Sequence, residues 1–197
     1  MRKEANILFV GVGGQGTISA SNLLSAALIE LGYDVKMSEV HGMAQRGGSV
    51  STQVRYGETV NSPLIEKGTA DYIVSFEKSE SGRWLNYLRT EGTIISSLHE
   101  IRPYSVNMGK EVYPEEILLE MENRGFKVIS VDANVKAIEL GNAKVANMIL
   151  LGILAKELGL EEDILRNLIR QYFKPALQEV NLKAVEEGFS RAEVQTV

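Results

Sequence analysis

Short apolar runs alternate along the first two thirds of the chain with longer segments of helical periodicity. The runs are bounded by turn residues and predict β-strands at residues 6–10, 34–39, 49–56, 71–76, 93–96 and 126–131. Between the first two strands, Gly32 ends a segment whose apolar residues form one helical stripe: Ile18, Leu23, Leu24, Ala27, Leu28 and Leu31. This order of strand, helix and strand is typical of an α/β sheet with crossover helices.

Two parts of the pattern differ from a simple repeat of that unit. Residues 49–56 alternate polar and apolar side chains, which predicts an antiparallel or edge strand with one wetted face. After Asp132 the periodicity is helical, at residues 133–140, 143–158, 161–172 and 175–189. The fold class predicted is α/β, with a Rossmann-like, mostly parallel sheet over about residues 5–132 and a helical C-terminal third over about 133–192. Since neither a repeat nor a linker divides them, we expect one domain over residues 1–197.

The composition of the chain excludes several kinds of site and partner. The 197 residues include no cysteine, which excludes disulfides, thiolate nucleophiles and cysteine-ligated iron–sulfur clusters within this chain. The 21 basic and 26 acidic residues give a net charge of −5, so nucleic acid is not an expected partner. The longest apolar run, residues 148–155, falls far short of the ~20 residues of a membrane span and is expected in the core or at a subunit interface. With no signal-peptide pattern at its start, the sequence predicts a cytoplasmic protein without a membrane partner.

A glycine-rich turn is the first candidate for chemistry. Gly11-Val12-Gly13-Gly14-Gln15-Gly16 follows the first strand and opens the first helix with Thr17. Because glycine lacks a Cβ atom, such a turn lets the backbone approach a ligand, and the N–H groups at the helix start suit a phosphate or carboxylate. The alternative is that these glycines only make a tight turn between strand and helix.

A second glycine-rich loop follows the second strand. An acid there can bind the ribose of a dinucleotide, and the candidate is Glu39, 28 positions after Gly11. The loop then supplies polar groups and glycines, which are His41, Gln45, Arg46, Gly47, Gly48 and Ser49. We expect the two loops to leave adjacent strands and face each other across a crevice that binds an anion. The alternatives are that Arg46 pairs with a surface acid and that His41 bonds a loop carbonyl.

Other candidate chemistry is weaker. His41 and His99 are far apart and lack the spacing of metal ligands. A triad of His41 with a nearby serine lacks the spacing of a nucleophile elbow. Glu77 and Glu80 lie three residues apart and are expected to be first-turn acids of a helix rather than a catalytic pair.

These motifs give the chain a resemblance to the γ-type subunits of 2-oxoacid:ferredoxin oxidoreductases, and within them to the small (beta) subunit of the indolepyruvate branch. The resemblance covers nearly the whole length. The residues that carry it are 11–16, 38–50, 62–65, 68–71 and 77–83. His41-Gly42-Met43 followed by Gln45-Arg46-Gly47-Gly48 favours the indolepyruvate branch over the pyruvate branch.

The resemblance implies a role in oxidative decarboxylation of a 2-oxo acid to an acyl-CoA, with ferredoxin as electron acceptor. That reaction uses thiamine diphosphate, magnesium and iron–sulfur clusters, which this chain has no residues to hold, so we expect them on a large partner subunit. Electrons would reach ferredoxin through the complex. This chain would hold no cofactor alone and would be inactive when isolated. It could then form a homodimer through the surface meant for its partner, which an exposed apolar patch at residues 148–155 would support.

The resemblance also implies a role for both glycine-rich segments. We expect Gly11, Gly13, Gly14, Gln15, Gly16 and Thr17, together with His41, Gln45, Arg46, Gly47, Gly48 and Ser49, to contact coenzyme A or to shape the approach to the thiamine. Two rival functions remain open: a stand-alone NAD(P)- or FAD-binding Rossmann-type oxidoreductase, and a pure assembly subunit whose glycine loops are only turns.

Two segments depart from the family pattern. Ser81-Gly82 stands where a helix-favouring pair is expected, and glycine weakens a helix by ~1 kcal/mol relative to alanine. Ser96-Ser97-Leu98-His99 stands where an asparagine is expected after the fifth strand.

Overall fold

The protein was analysed as a computed structural model, which describes residues 1–41 and 47–191. All six predicted strands are present and form one sheet. Their bounds are β1 Ala5–Val12, β2 Asp34–His41, β3 Ser49–Gly57, β4 Ala70–Ser75, β5 Leu88–Ser97 and β6 Lys127–Val131.

The predicted helices are also confirmed, within a few residues at their ends. The helices are α1 Thr17–Glu30, α2 Lys78–Arg83, α3 Tyr104–Asn107, α4 Ile117–Asn123, α5 Ala133–Glu139, α6 Ala146–Leu158, α7 Glu162–Tyr172 and α8 Pro175–Arg191, with short 3-10 turns at Leu85–Tyr87 and Ala143–Val145. The pattern did not predict α3 and α4, because four to seven residues are too few to show a helical period. Among the described residues, no helix combines the length and apolar character needed to cross a bilayer.

The strand order is β2-β3-β1-β4-β5-β6. β3 runs antiparallel to both of its neighbours, and the other strands share one direction. The predicted antiparallel strand is therefore confirmed, but the edge position is wrong, because β2 and β6 are the edges. The expectation that β1 and β2 are adjacent is also wrong, since β3 lies between them. The first residues of β3 consequently lie between the carboxyl ends of β1 and β2, where the two glycine loops meet.

Both faces of the central strands are buried, as the near-continuous apolar runs predict. In β1, Ile7 and Phe9 face a core shared with α1 and the C-terminal helices α5–α8, while Leu8 and Val10 face a smaller core that includes α4. This alternation follows from the two-residue period of a strand. The central strands are therefore buried on both faces, and the carboxyl ends of β1 and β2 carry the loops of the site.

Helix α1 crosses over the sheet as predicted and ends at the predicted residue. Gly32 has φ +86°, the left-handed conformation of a residue that follows a helix. Leu24 and Leu28 are fully buried, whereas Ile18 and Leu31 are 43% and 42% exposed. The prediction that Ile18 and Leu31 belong to the buried stripe is therefore wrong. Ile18 lies in the first turn, which faces a surface cavity, and Leu31 is the C-cap residue beyond the last turn.

The C-terminal helices cross at a glycine contact. A Cβ atom added to Gly188 would lie 2.2 Å from the carbonyl oxygen of Ile149, and one added to Gly152 would lie 2.5 Å from that of Val185. The apolar run 148–155 is buried in this contact and in the core around it. The run thus belongs to the core, one of the two predicted places for it, and because α8 covers it, it provides no exposed patch that would support a homodimer.

Candidate functional site: a crevice between two glycine loops

The first glycine turn is held by the side chain of Gln15. Its amide oxygen accepts from the N–H of Val12 at 2.8 Å, and its amide nitrogen donates to the carbonyl of Phe76 at 2.8 Å. The two bonds tie the end of β1 to the residue after β4. A Cβ atom on Gly11 would lie 2.8 Å from the same amide oxygen, so a side chain there would displace the Gln15 amide from the turn. In this structure the Gln15 amide therefore supports the turn.

The end of the turn leaves backbone amides free at the start of α1. Gly16 is the N-cap residue at φ +82°, and within the described chain no side chain caps this helix. The N–H of Ala20 donates to the carbonyl of Gly16 at 3.2 Å, so the earlier helical N–H groups, from Thr17 onward, have no intrahelical acceptor. Free N–H groups and the positive end of the helix dipole favour an anion here, as the sequence predicts.

Asn147 is a site residue that the sequence analysis missed. Its buried side chain donates to the carbonyl of Gly16 at 3.1 Å from the first turn of α6. A Cβ atom on Gly16 would lie 2.5 Å from the Asn147 amide nitrogen and would displace it, and the positive φ of Gly16 itself favours glycine. The sequence signal for Asn147 was its position, a polar residue directly before the apolar run 148–155.

The described end of the second glycine loop meets the first glycine turn. The N–H of Gly13 donates to the carbonyl of Gly48 at 2.9 Å, and Ser49 pairs with Val12 in the ladder between β3 and β1. Of the other predicted residues, Gln45 and Arg46, together with the side chain of His41, lie outside the described residues. The meeting of the loops places the start of β3 directly beside the glycine turn.

A cavity of about 390 Å³ lies on the β2 and β3 side of this turn, and we call it the glycine crevice. The residues that line it are Gly13, Gly14, Gly16, Thr17, Ile18, Ser19, Glu39, Val40, Val50, Ser51 and Thr52. Glu39 does lie in the crevice, at the position predicted for an acid that contacts ribose. The crevice thus combines helix-start amides, apolar side chains and one carboxylate.

Ser51 is the unusual residue of the crevice. Its side chain is buried, with the residue only 2% exposed, and its hydroxyl has no hydrogen-bond partner among the described residues. A buried hydroxyl without a partner costs free energy, so most such groups in proteins are paired. Because Ser51 pairs with Val10, which faces the smaller core, this hydroxyl lies on the face of the sheet opposite to α1 and is not open to the crevice.

A second cavity, of about 450 Å³, lies on the other side of the glycine turn. Gly14, Gly16 and Ser19 border both cavities, and the second adds the polar residues His99, Asn134, Lys144 and Asn147. The glycine turn is therefore accessible from both sides.

The acids after β4 lie at the start of α2. Glu77 is fully buried and caps α2 by accepting from the N–H of Glu80 at 3.0 Å. It also accepts from the N–H of Ile101 at 3.1 Å and from the hydroxyl of Tyr113. Burial, and then the hydrogen bond to Glu77, raises the pKa of Tyr113 above its ordinary value. The prediction that Glu77 and Glu80 belong to a helix start is confirmed.

The two departures from the family pattern have local explanations. A Cβ atom on Gly82 would lie 2.9 Å from Cγ1 of Ile117, so this glycine lets α4 pack against α2. After β5, the Ser96 hydroxyl donates to the Ser97 carbonyl at 3.0 Å, and the Ser97 hydroxyl accepts from the N–H of His99 at 3.2 Å. Serine hydroxyls therefore organise this turn in place of an asparagine.

Comparison with known proteins agrees with the resemblance. Indolepyruvate oxidoreductase subunit IorB of Thermococcus kodakarensis is 40% identical over 195 residues, 96% of each chain. The pyruvate/ketoisovalerate oxidoreductases common subunit gamma of the same organism is 29% identical over 189 residues, 95% of this chain and 97% of the relative. The higher identity to IorB confirms the predicted resemblance to the indolepyruvate branch. Both relatives are subunits, which favours a subunit over a stand-alone dinucleotide-binding enzyme.

The fold is shared as well. The keto/oxoacid ferredoxin oxidoreductase gamma subunit of Geobacter sulfurreducens superposes with a TM-score of 0.72 at 21% identity, covering 97% of this chain and 99% of that one. The sequence model for pyruvate ferredoxin/flavodoxin oxidoreductase matches residues 6–191. The chain therefore belongs to the pyruvate ferredoxin/flavodoxin oxidoreductase family.

Proposed function

We propose that this protein is the small subunit of an indolepyruvate ferredoxin oxidoreductase complex, which oxidises a 2-oxo acid to an acyl-CoA and reduces ferredoxin. The full-length similarity to IorB supports the assignment to the indolepyruvate branch. With no cysteine in the chain, the iron–sulfur clusters belong to the large partner subunit, together with thiamine diphosphate and magnesium. Ferredoxin is then reduced through the complex.

Within the complex, the glycine crevice contacts coenzyme A. The observation that carries this proposal is a cavity of about 390 Å³ at the uncapped start of a 14-residue helix, bordered by Gly13, Gly14 and Glu39. The free amides suit a phosphate, the apolar side chains of Ile18 and Val50 offer a surface for a base, and Glu39 can accept from a ribose hydroxyl. Coenzyme A carries all three groups.

The second glycine loop completes this binding surface in the proposal. In the sequence, Arg46 stands two positions before Gly48, whose carbonyl accepts from the N–H of Gly13. A guanidinium binds phosphate through charge-assisted hydrogen bonds, which contribute about 1.5–3 kcal/mol each. His41 and Gln45 belong to the same loop and are proposed to contact the same ligand.

The test is the steady-state kinetics of the assembled complex with coenzyme A as the varied substrate. Glu39→Gln is expected to raise the KM for coenzyme A several-fold with little change in kcat, because a neutral amide accepts more weakly from the ribose hydroxyl than a carboxylate does. Arg46→Ala is expected to have the larger effect, since it removes its charge-assisted bonds altogether.

Glu58→Gln is the matched control. Glu58 is an exposed glutamate that does not line the crevice. We expect its substitution to leave the KM unchanged. An unchanged KM in both the Glu39 and Arg46 variants would contradict the contact with coenzyme A and would favour a crevice that only shapes the approach to the partner's thiamine.

A further inference from the structure

Glu80 links α2 to the rim of the glycine crevice. We infer that Glu80 is a positioning residue, which acts through Ser49 to hold the start of β3 against the glycine turn and so sets the shape of the crevice. The functional part of this inference rests on the proposed binding of coenzyme A. The structural part rests on the contacts of Glu80 alone.

The Glu80 side chain is buried and has three donors. It is only 4% exposed, and one oxygen accepts from Nε of Arg83 at 2.9 Å. The other oxygen accepts from the hydroxyl of Ser49 and from Nε1 of Trp84 at 3.3 Å. Arg83 and Trp84 lie on the same segment of chain as Glu80, so Ser49 is the distant contact, 31 positions away in sequence.

The contact with Ser49 leads directly to the first glycine turn. Ser49 is the first residue of β3 and pairs with Val12, the last residue of β1. The preceding residue, Gly48, accepts from the N–H of Gly13 at 2.9 Å. Glu80 therefore holds the end of the second glycine loop at the point where that loop is bonded to the first.

The chemistry of the contact requires a carboxylate. A carboxylate accepts hydrogen bonds at both oxygens and can satisfy all three donors at once. In Glu80→Gln one oxygen becomes an NH₂ group, which cannot accept and would face a donor. A helix-stabilising pair of Glu80 and Arg83 alone would not need burial or Ser49, since such pairs form on exposed helix surfaces. The burial and the distant partner indicate a role outside α2.

The kinetic test uses the assembled complex and variants at both ends of the contact. Glu80→Gln and Ser49→Ala are each expected to raise the KM for coenzyme A about two- to tenfold, the effect of losing one hydrogen bond, with kcat within twofold of the wild type. The double variant is expected to match the larger single effect, because both substitutions break the same contact. Ser49→Thr keeps the hydroxyl and is expected to restore a KM near the wild-type value.

A matched control is available in an exposed pair of the same chemistry. The hydroxyl of Ser105 donates to Glu111 at 2.6 Å, away from the crevice. Ser105→Ala is expected to leave the KM for coenzyme A unchanged. Effects of Glu80→Gln and Ser49→Ala that add independently would overturn the inference, since they would then act through different contacts.

Hydrogen exchange of the complex, followed by mass spectrometry, provides the second readout. Peptides that contain Gly13 are expected to exchange faster in Glu80→Gln and Ser49→Ala than in the wild type or Ser105→Ala. If Glu39→Gln or Arg46→Ala raises the KM and Glu80→Gln does not, the inference is wrong and the proposed function stands. If none of these variants changes the KM, the contact with coenzyme A fails. Unchanged exchange at Gly13 would then overturn the positioning role too, whereas faster exchange would support it.

Discussion

Glycines serve two different purposes in this protein, one at the crevice and the other at the crossing of α6 and α8. Gly14 has φ +102°, and a Cβ atom there would meet no other atom within 4 Å. Gly152 and Gly188 lie within helices, but a Cβ atom on either would lie within 2.5 Å of a backbone oxygen. The first kind of glycine is required for its backbone conformation, and the second for the space that a missing side chain leaves.

This difference separates the glycines of the site from those of the fold. At the crevice, positive φ turns the chain so that the amides of α1 are open to a ligand. At the crossing, glycine costs about 1 kcal/mol of helix propensity relative to alanine, which close packing of the two helices offsets. Substitutions at the two places should therefore affect different properties, and this expectation can be measured.

The largest effect is expected at the helix crossing. Gly188→Ala would ordinarily stabilise a helix by about 1 kcal/mol. Here the added methyl group meets the carbonyl oxygen of Ile149, a backbone atom that cannot rotate away. We expect a net destabilisation of about 3 kcal/mol, at the upper end for overpacking, measured by urea unfolding of the purified subunit.

Ser190→Ala is the control for that measurement, since Ser190 is an exposed residue two positions further along α8. Its unfolding free energy should stay within about 0.5 kcal/mol of the wild type. A Gly188→Ala variant that is more stable than the wild type would show that the two helices are not in backbone contact.

A smaller effect on stability, but a larger one on binding, is expected at Gly14. Alanine at φ +102° is strained, which costs about 1–2 kcal/mol, although its methyl group meets no neighbour. A turn that relaxes away from this strain would move the amides of α1. We therefore expect Gly14→Ala to raise the KM for coenzyme A of the assembled complex by more than its small loss of stability would suggest.

Gly125→Ala is the control for Gly14→Ala. Gly125 also has positive φ, +87°, and a Cβ atom there would meet no atom within 4 Å, but it follows α4 and lies outside the crevice. It should lose a similar amount of stability while the KM stays unchanged. Equal KM effects for the two variants would mean that strain anywhere in the fold, rather than the conformation of the crevice, governs binding.

The distinction between local and distant contacts also explains how much could be predicted from the sequence. Strands, long helices and the glycine turn have patterns that repeat over a few residues, and these predictions are confirmed. The place of β3 between β1 and β2 was missed, because strand pairing joins residues far apart and local alternation does not identify the partner.

The same limit applies to the polar contacts of the site. Asn147 bonds Gly16 across 131 positions, and Ser49 bonds Glu80 across 31. Each residue alone is a common polar residue in a helix or strand. Only the fold shows that one supports the glycine turn and the other the rim of the crevice.

The smallest effect on stability is expected at Gly82, where helix propensity alone predicts a gain that the structure does not support. Helix propensity suggests that Gly82→Ala gains about 1 kcal/mol, but the new methyl group would lie 2.9 Å from Cγ1 of Ile117. That neighbour is a side chain, which can shift by a few tenths of an ångström, unlike the carbonyl oxygen that faces Gly188. We expect the two terms nearly to cancel, leaving the unfolding free energy within about 0.5 kcal/mol of the wild type.

Shortening the Ile117 side chain tests whether the gain in helix propensity and the cost of crowding cancel, or whether both are absent. Ile117→Val removes the Cδ1 methyl group, which would lie 3.0 Å from the added Cβ atom, and so relieves part of the crowding. In that background Gly82→Ala should stabilise the subunit by up to about 1 kcal/mol, as helix propensity alone predicts. If Gly82→Ala is neutral in both backgrounds, crowding against Ile117 is not the reason for glycine at this position. In that case Gly82 would belong with neither the crevice glycines nor the crossing glycines.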